Sequence, residues 1–93
     1  MTNVMVDPRE FEAFCRGRPA DERYDALDTG MCALGQFVEH KYPGRGARSV
    51  NHKDYFIDGV GFIVVGNRTY AAAVEDGPDT FGALADRLAK VAT

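Results

Sequence analysis

The spacing of apolar residues changes character about halfway along the chain. Before residue 42, apolar residues recur at intervals of three and four, which places them on one face of a helix. Between residues 50 and 74 they form short consecutive runs rich in Val, Ile, Tyr and Phe, which favour strands. From residue 81 onward the helical spacing returns. The pattern therefore predicts helices at both ends and a sheet between them.

The first predicted helix has recognisable start and stop signals. Asp7 is a suitable N-cap, Pro8 suits the first helical position, and Glu10 completes the spacing of a capping box. Gly17 ends the helix. Its apolar face consists of Phe11, Phe14 and Cys15. A helix this short needs packing through that face, because propensity alone does not hold it.

The second predicted helix is the central one. Asp28 or Thr29 caps it, and it ends near Lys41. This start places Cys32 in the first turn. Its apolar stripe consists of Met31, Leu34, Phe37 and Val38, widened by Cys32 and Ala33. The width of the stripe indicates a helix that is buried on more than one side.

The middle of the chain predicts a three-stranded antiparallel meander. The three predicted strands are 48–57, 60–66 and 69–74. Asp58-Gly59 and Gly66-Asn67 are hairpin signals at the right separations. The continuous apolar run 62–65 predicts the central strand, covered on both faces.

The last predicted helix follows a turn and is capped by Asp79 or Thr80. Its apolar stripe consists of Phe81, Leu84, Ala85, Leu88, Val91 and Ala92. The predicted fold is therefore α+β. Two N-terminal helices precede the antiparallel sheet, and a C-terminal amphipathic helix packs on it, all within a single small domain, 1–93.

Length and charge set limits on the function. With 93 residues and a net charge of −3, the chain forms a thin core, and a homodimer would cover leftover apolar surface. No apolar run is long enough to cross a membrane, and the N-terminus lacks the features of a signal peptide. We therefore expect a cytoplasmic protein, in the host cell if a phage encodes it, with both cysteines reduced.

Cys32 is the one candidate for catalysis. A thiol in the first turn of a helix is favoured as the thiolate, and His52, oriented by Asp54 or Asn51, would complete a cysteine-hydrolase arrangement. The alternative is a buried cysteine that packs as a small apolar residue. No spacing typical of a metal site or of a cofactor-binding loop is present, so we expect neither metal nor cofactor.

Charge is segregated along the chain. Residues 41–53 carry four basic residues and no acidic one, whereas residues 1–28 carry seven acidic residues and residues 75–86 carry four without a base. This segregation is typical of a solvated surface whose charges balance internally, and the alternative is a charged docking face through which the basic stretch contacts a protein partner. The predicted contact residues are Arg45, Arg48, Lys53 and Tyr55. The same stretch with His52 and Phe56 would suit RNA or DNA, but the acidic remainder argues against it.

Three segments resemble a known group of proteins. They are 11–22 (FEAFCRGRPADE), 32–37 (CALGQF) and 80–88 (TFGALADRL). Together they are similar to small proteins encoded by bacteriophages, prophages and related bacterial genomes. The resemblance implies a non-enzymatic accessory protein that binds a host or phage protein. An inhibitor of a host defence system, such as an anti-CRISPR protein, is one form of this role, and the cysteine hydrolase is the alternative.

Overall fold

A computed structural model of the chain describes residues 2–25, 32–46, 48–50, 54–74 and 78–91. These residues form four strands and four helices. The strands are β1 (Thr2–Met5), β2 (Arg48–Ser49), β3 (Tyr55–Ile57) and β4 (Gly61–Val64). The helices are α1 (Pro8–Arg16), α2 (Ala33–Lys41), α3 (Asn67–Val74) and α4 (Phe81–Val91). The predicted α+β class is confirmed.

The sheet is mixed, with the strand order β1-β4-β3-β2. β3 and β4 form the predicted hairpin, whose turn uses Gly59 at φ 81°, a conformation that glycine adopts without strain. β1 lies parallel to β4 on the other side. The predicted purely antiparallel meander is therefore wrong. β2, β3 and β4 are antiparallel, but the predicted strand 48–57 contains two strands, β1 adds a parallel strand, and 69–74 lies outside the sheet.

The segment predicted as the third strand is helix α3, which begins at Asn67 directly after β4. Its buried residues are Thr69, Ala72 and Ala73, spaced by three and four as in a helix. Alanine is the strongest helix former, so three consecutive alanines outweigh the strand preference of Thr69 and Tyr70. The small side chains let α3 pack closely on α4.

Burial alternates along the strands, so the sheet has one covered and one uncovered face. Tyr55, Ile57, Ile63 and Val65 are buried, whereas Phe56, Phe62 and Val64 between them are not. β4 is one of the two inner strands, and its residues are fully buried on one face only. The expectation that 62–65 is buried on both faces is wrong, because Phe62 and Val64 on the other face are only half-buried.

The core lies between the covered face and the helices. α1 and α4 form the most extensive helix pair, and Phe11 and Phe81 are fully buried. Phe11 contacts Phe37 of α2 with ring centroids 5.1 Å apart. Each large apolar side chain buried in this way stabilises the fold by about 1.5–3 kcal/mol. The predicted bounds of the first helix and the predicted start of the last are confirmed. Their predicted apolar faces are buried at Phe11, Cys15, Phe81, Leu84, Ala85 and Leu88, whereas Ala92 lies outside the described residues.

The connection after α1 is bound to the start of α4. The backbone carbonyl oxygen of Glu22 accepts a hydrogen bond from the N–H of Phe81 at 3.0 Å, and that of Ala20 accepts one from the N–H of Gly82 at 2.9 Å. Thr80 caps α4 by accepting the N–H of Ala83 through its hydroxyl, 3.3 Å away. The backbones approach so closely that a Cβ at Gly82 would lie 2.8 Å from the Ala20 carbonyl oxygen.

The guanidinium of Arg87 on α4 connects three separate segments. It donates to the carbonyl oxygens of Ala72 (2.8 Å) and Pro78 (3.2 Å) and to the hydroxyl of Tyr24 (2.9 Å). These contacts bind α3 and the connection after α1 to the last helix. Cys15 and Cys32 are both free thiols. No described helix is long and apolar enough to cross a membrane.

Candidate functional site

The uncovered face of the sheet is the most distinctive surface of the described chain. We call it the open sheet face. Its described residues are Asn3, Met5, Val50, Asp54, Phe56, Phe62 and Val64. It exists because strand residues alternate between faces and the helices cover only one of them. An apolar sheet face without a covering layer is typical of a binding surface.

Two phenylalanines occupy the centre of the open sheet face. Phe56 on β3 and Phe62 on β4 are register partners, and their rings meet edge to face with centroids 5.3 Å apart. The register continues on both sides, with Asn3 beside Phe62 and Arg48 opposite Phe56. The four strands therefore contribute one residue each to a single row whose centre is aromatic.

A shallow concavity of about 350 Å³ lies beside the aromatic pair. It is lined by Asn3, Val50, Asp54, Phe62 and Val64. The carboxylate of Asp54 accepts the N–H of Val65 at 2.9 Å, which fixes its orientation at the rim. The concavity therefore has an apolar floor and an oriented polar rim, an arrangement suited to receiving an apolar side chain.

Two large apolar side chains on this face are strongly exposed. Met5 is 62% exposed and Val50 is 50% exposed. Isolated exposed apolar residues are common on protein surfaces, but these two share a face of the sheet with the aromatic pair. Met5 and Val50 therefore add apolar surface near the two opposite edges of that face.

The structure places the predicted contact residues in different environments. Arg45 is exposed, and its guanidinium donates to the Asp58 carbonyl oxygen, 3.3 Å away at the hairpin turn. Arg48 aligns with Phe56 in the register, whereas Lys53 lies outside the described residues. Tyr55 is only 4% exposed. Its side chain faces the core and the next residue, Phe56, faces outward, so the partner contact predicted for Tyr55 stays a prediction that its burial does not favour.

Cys32 caps α2 instead of lying in its first turn. Its sulfur accepts the N–H of Gly35 at 3.3 Å and lies 3.4 Å from the hydroxyl of Tyr55. Burial raises the pKa of Tyr55, which keeps the phenol protonated and available to this contact. The helix begins at Ala33, and the predicted caps Asp28 and Thr29 lie outside the described residues. Cys32 therefore joins α2 to β3.

The described residues do not place a histidine beside Cys32. His52, the predicted partner, and Asn51 lie outside them. His40 is eight residues further along the helix, about 12 Å away by helical rise, and its ring packs on Phe14 at 5.1 Å. The cysteine-hydrolase alternative stays a prediction. Among the described residues, no cluster of three or more His, Cys, Asp or Glu side chains is arranged to hold a metal ion.

Two grooves between helices offer less for recognition. One of about 440 Å³ lies between α1 and α2, where Lys41 forms an ion pair with Glu10 at 2.5 Å across the opening. The other, of about 390 Å³, lies between α3 and α4. It carries Arg87, whose guanidinium is engaged by backbone carbonyls and Tyr24. In each groove a charged side chain is already bound within the fold, Lys41 in the first and Arg87 in the second.

The sequence pattern missed the open sheet face because it missed β1 and misplaced the faces of β3. The signal available for β1 is the pair of β-branched residues Val4 and Val6, which are spaced by two as on one face of a strand. Comparisons with known proteins do not assign a function: no family model matches the chain, and neither the curated proteins nor the solved structures contain a match. The functional conclusion therefore depends on the geometry of the sheet.

Proposed function

We propose that the protein is a non-enzymatic binding protein that holds another protein against its open sheet face. The observation that supports this most is the Phe56–Phe62 pair at the centre of a face that no described helix covers. Aromatic residues at the centre of a surface patch are the residue type that contributes most to protein interfaces. The oriented carboxylate of Asp54 beside them gives the surface a polar rim.

The area of the open sheet face limits how much of a partner's surface it can cover. Four strands of two to four residues each, spaced by about 4.8 Å with a rise of about 3.3 Å per residue, span roughly 200 Å². A stable interface covers about 800 Å² on each partner. The contact must therefore continue beyond the sheet, and β2, which belongs to the basic stretch of the sequence, forms one edge of it. We infer a partner with an apolar projection for the aromatic centre and carboxylates for Arg45 and Arg48.

The resemblance to phage and prophage proteins supports a biological setting for this binding. We place the partner among host proteins, with inhibition of a defence system as the consequence of binding. An anti-CRISPR protein is one form of such an inhibitor. Binding alone suffices for this role, because an inhibitor that covers a functional surface needs no catalytic group.

Capture of partners from host lysate tests this proposal with closely matched variants. Val50 lies on the open sheet face and is 50% exposed, whereas Val74 lies on α3 and is 49% exposed. Val50→Asp should abolish capture of the proteins that the wild type retains, and Val74→Asp should leave capture unchanged. Phe56→Ser should act like Val50→Asp, with thermal melting monitored by circular dichroism to confirm folding.

Two results would contradict the proposal. One is the absence of any protein that the wild type retains above an unrelated control domain of similar charge. The other is retention of the same proteins by Val50→Asp and Phe56→Ser at wild-type levels, which would place the contact elsewhere. Loss of capture by Val74→Asp alone would move the interface to α3.

A further inference from the structure

Strand β1 has a backbone edge with no strand beside it in the described part of the chain. It lies at the end of the strand order, next to β4 only. The N–H of Val6 donates to the Val64 carbonyl oxygen at 2.8 Å. Backbone groups alternate in direction along a strand, so Val4 and Val6 point to β4. The N–H and C=O groups of Asn3 and Met5 therefore point outward.

Within the described residues, this edge lacks the usual protection against pairing. Natural sheets protect their edges with charged residues, prolines, bulges or a covering element. Residues 2–5 (TNVM) carry neither charge nor proline, and their register with β4 is unbroken. Met5, on this edge, is the most exposed of the large apolar residues in the described chain at 62%. The edge is thus open to a further strand.

We propose that a second copy of this chain occupies the edge, with the two β1 strands paired antiparallel across a twofold axis. In this register Asn3 lies opposite Met5 of the second copy, and the two Val4 residues lie opposite each other. Each Asn3–Met5 pair exchanges two N–H···O=C hydrogen bonds, because the outward amides of one copy meet those of the other. The strand is complementary to itself.

A second copy fits this edge better than β2 does. β2 is only two residues long and contains Arg48, so it offers little backbone and adds a charge. Pairing of β1 with β2 of another copy would also leave a free β2 edge at one end and a free β1 edge at the other. Further copies could then add at both ends, and a filament would form. Pairing of β1 with β1 uses the edge in both copies and closes after two. The uncharged strand adds no repulsion between the copies.

The resulting dimer has a continuous eight-stranded sheet, four strands from each copy. Its two open sheet faces lie side by side on the same surface, so the dimer presents two binding sites with one orientation. This inference is independent of the proposed function, since it uses the edge of the sheet instead of its face. The contact is small, and we expect self-association in the micromolar range or weaker.

Sedimentation velocity over about 5–500 µM tests the dimer. The wild type should shift with concentration from 10.2 kDa towards twice that mass. Met5→Pro removes an outward N–H without removing a bond to β4, and should keep the protein monomeric. The double change Asn3→Lys and Met5→Lys should do the same by charging the edge. Val50→Asp should dimerise like the wild type.

Oxidative crosslinking tests the register. With oxidised glutathione as the oxidant, Val4→Cys should form a disulfide-linked dimer, because the two residues at this position face each other at about 4.5 Å between Cα atoms. Met5→Cys should crosslink much more slowly, since Asn3 lies opposite it. The wild-type protein is the control for disulfide-linked dimers that form through Cys15 or Cys32. Circular dichroism confirms that each variant folds.

Three outcomes would overturn the proposal. The first is a wild type that remains monomeric at the highest concentration. The second is a folded Met5→Pro or double-lysine variant that dimerises as strongly as the wild type. The third is crosslinking through Met5→Cys but not through Val4→Cys. Val50→Asp changes the open sheet face at the opposite end of the strand order from β1, and sedimentation measures self-association without the partner. Failure of one proposal is therefore distinguishable from failure of the other.

Discussion

Replacing Arg87 by methionine should remove a large part of the stability of this domain. The guanidinium joins α3, the segment before α4 and the connection after α1 through Ala72, Pro78 and Tyr24. Methionine keeps an apolar stem of similar length but donates no hydrogen bond. The change therefore tests the polar contacts with little disturbance of packing.

The three contacts contribute unequally. The bond to Pro78 is exposed, so water replaces it at little cost. The bonds to the Ala72 carbonyl and the Tyr24 hydroxyl are partly buried. A hydrogen bond from a charged donor contributes about 1.5–3 kcal/mol, and partial exposure lowers this figure. We expect Arg87→Met to lower the free energy of unfolding by about 2–4 kcal/mol. That is a large share of the roughly 5–15 kcal/mol of a typical domain.

Urea denaturation followed by circular dichroism measures this loss. Arg68→Met is the matched control, because Arg68 is exposed and lines the same groove as Arg87. It should change the free energy of unfolding by no more than about 0.5 kcal/mol. Tyr24→Phe should cost about 1 kcal/mol, and its effect should largely disappear in the Arg87→Met background. A loss below about 0.5 kcal/mol for Arg87→Met, or an equal loss for Arg68→Met, would refute the reasoning.

Two further predictions concern the packing of α4 and the buried thiol. Gly82→Ala should destabilise the protein by about 1–3 kcal/mol in the same assay, although alanine normally favours a helix, because its Cβ would lie 2.8 Å from the Ala20 carbonyl oxygen. An unchanged or higher stability would show that the connection relaxes freely. Burial raises the pKa of the Cys15 thiol from 9.0 to about 12, so the unfolded chain loses this proton first as the pH rises. Stability should therefore fall above about pH 9, by up to about 1.4 kcal/mol per pH unit from this group, and Cys15→Ala should reduce that slope.

Local signals were sufficient for the first and last helices. Asp7 and Pro8 mark the start of α1, and the stripe on α4 repeats over three turns. Such signals depend only on neighbouring residues. The β3–β4 hairpin was likewise predictable, since Asp58-Gly59 determines the turn by itself.

Long-range pairing and register were not predictable from the same signals. β1 is four residues long and pairs with a strand more than fifty residues away, so Val4 and Val6 can indicate a strand but not the strand with which it pairs. Whether the Tyr55 side chain points to the surface or to the core depends on the register of its strand. A shift of one residue moves it from one face of the sheet to the other. The site was missed for that reason: the outward aromatic residue is Phe56, and its partner Phe62 was assigned to a fully covered strand.

The pairing of the first and last helices has a consequence during protein synthesis. α1 lacks its main packing partner until residues 81–91 have been added, and β1 lacks β4 until residues 61–64 are present. At about 5–20 residues per second, the ribosome needs several seconds to make the intervening chain. Phe11 gains its neighbour Phe37 early in that interval, but the face of α1 that packs on α4 has no native partner until the interval ends. The α1–α4 packing is therefore completed only after residues 81–91 have been translated, and chaperones have access to that face of α1 until then.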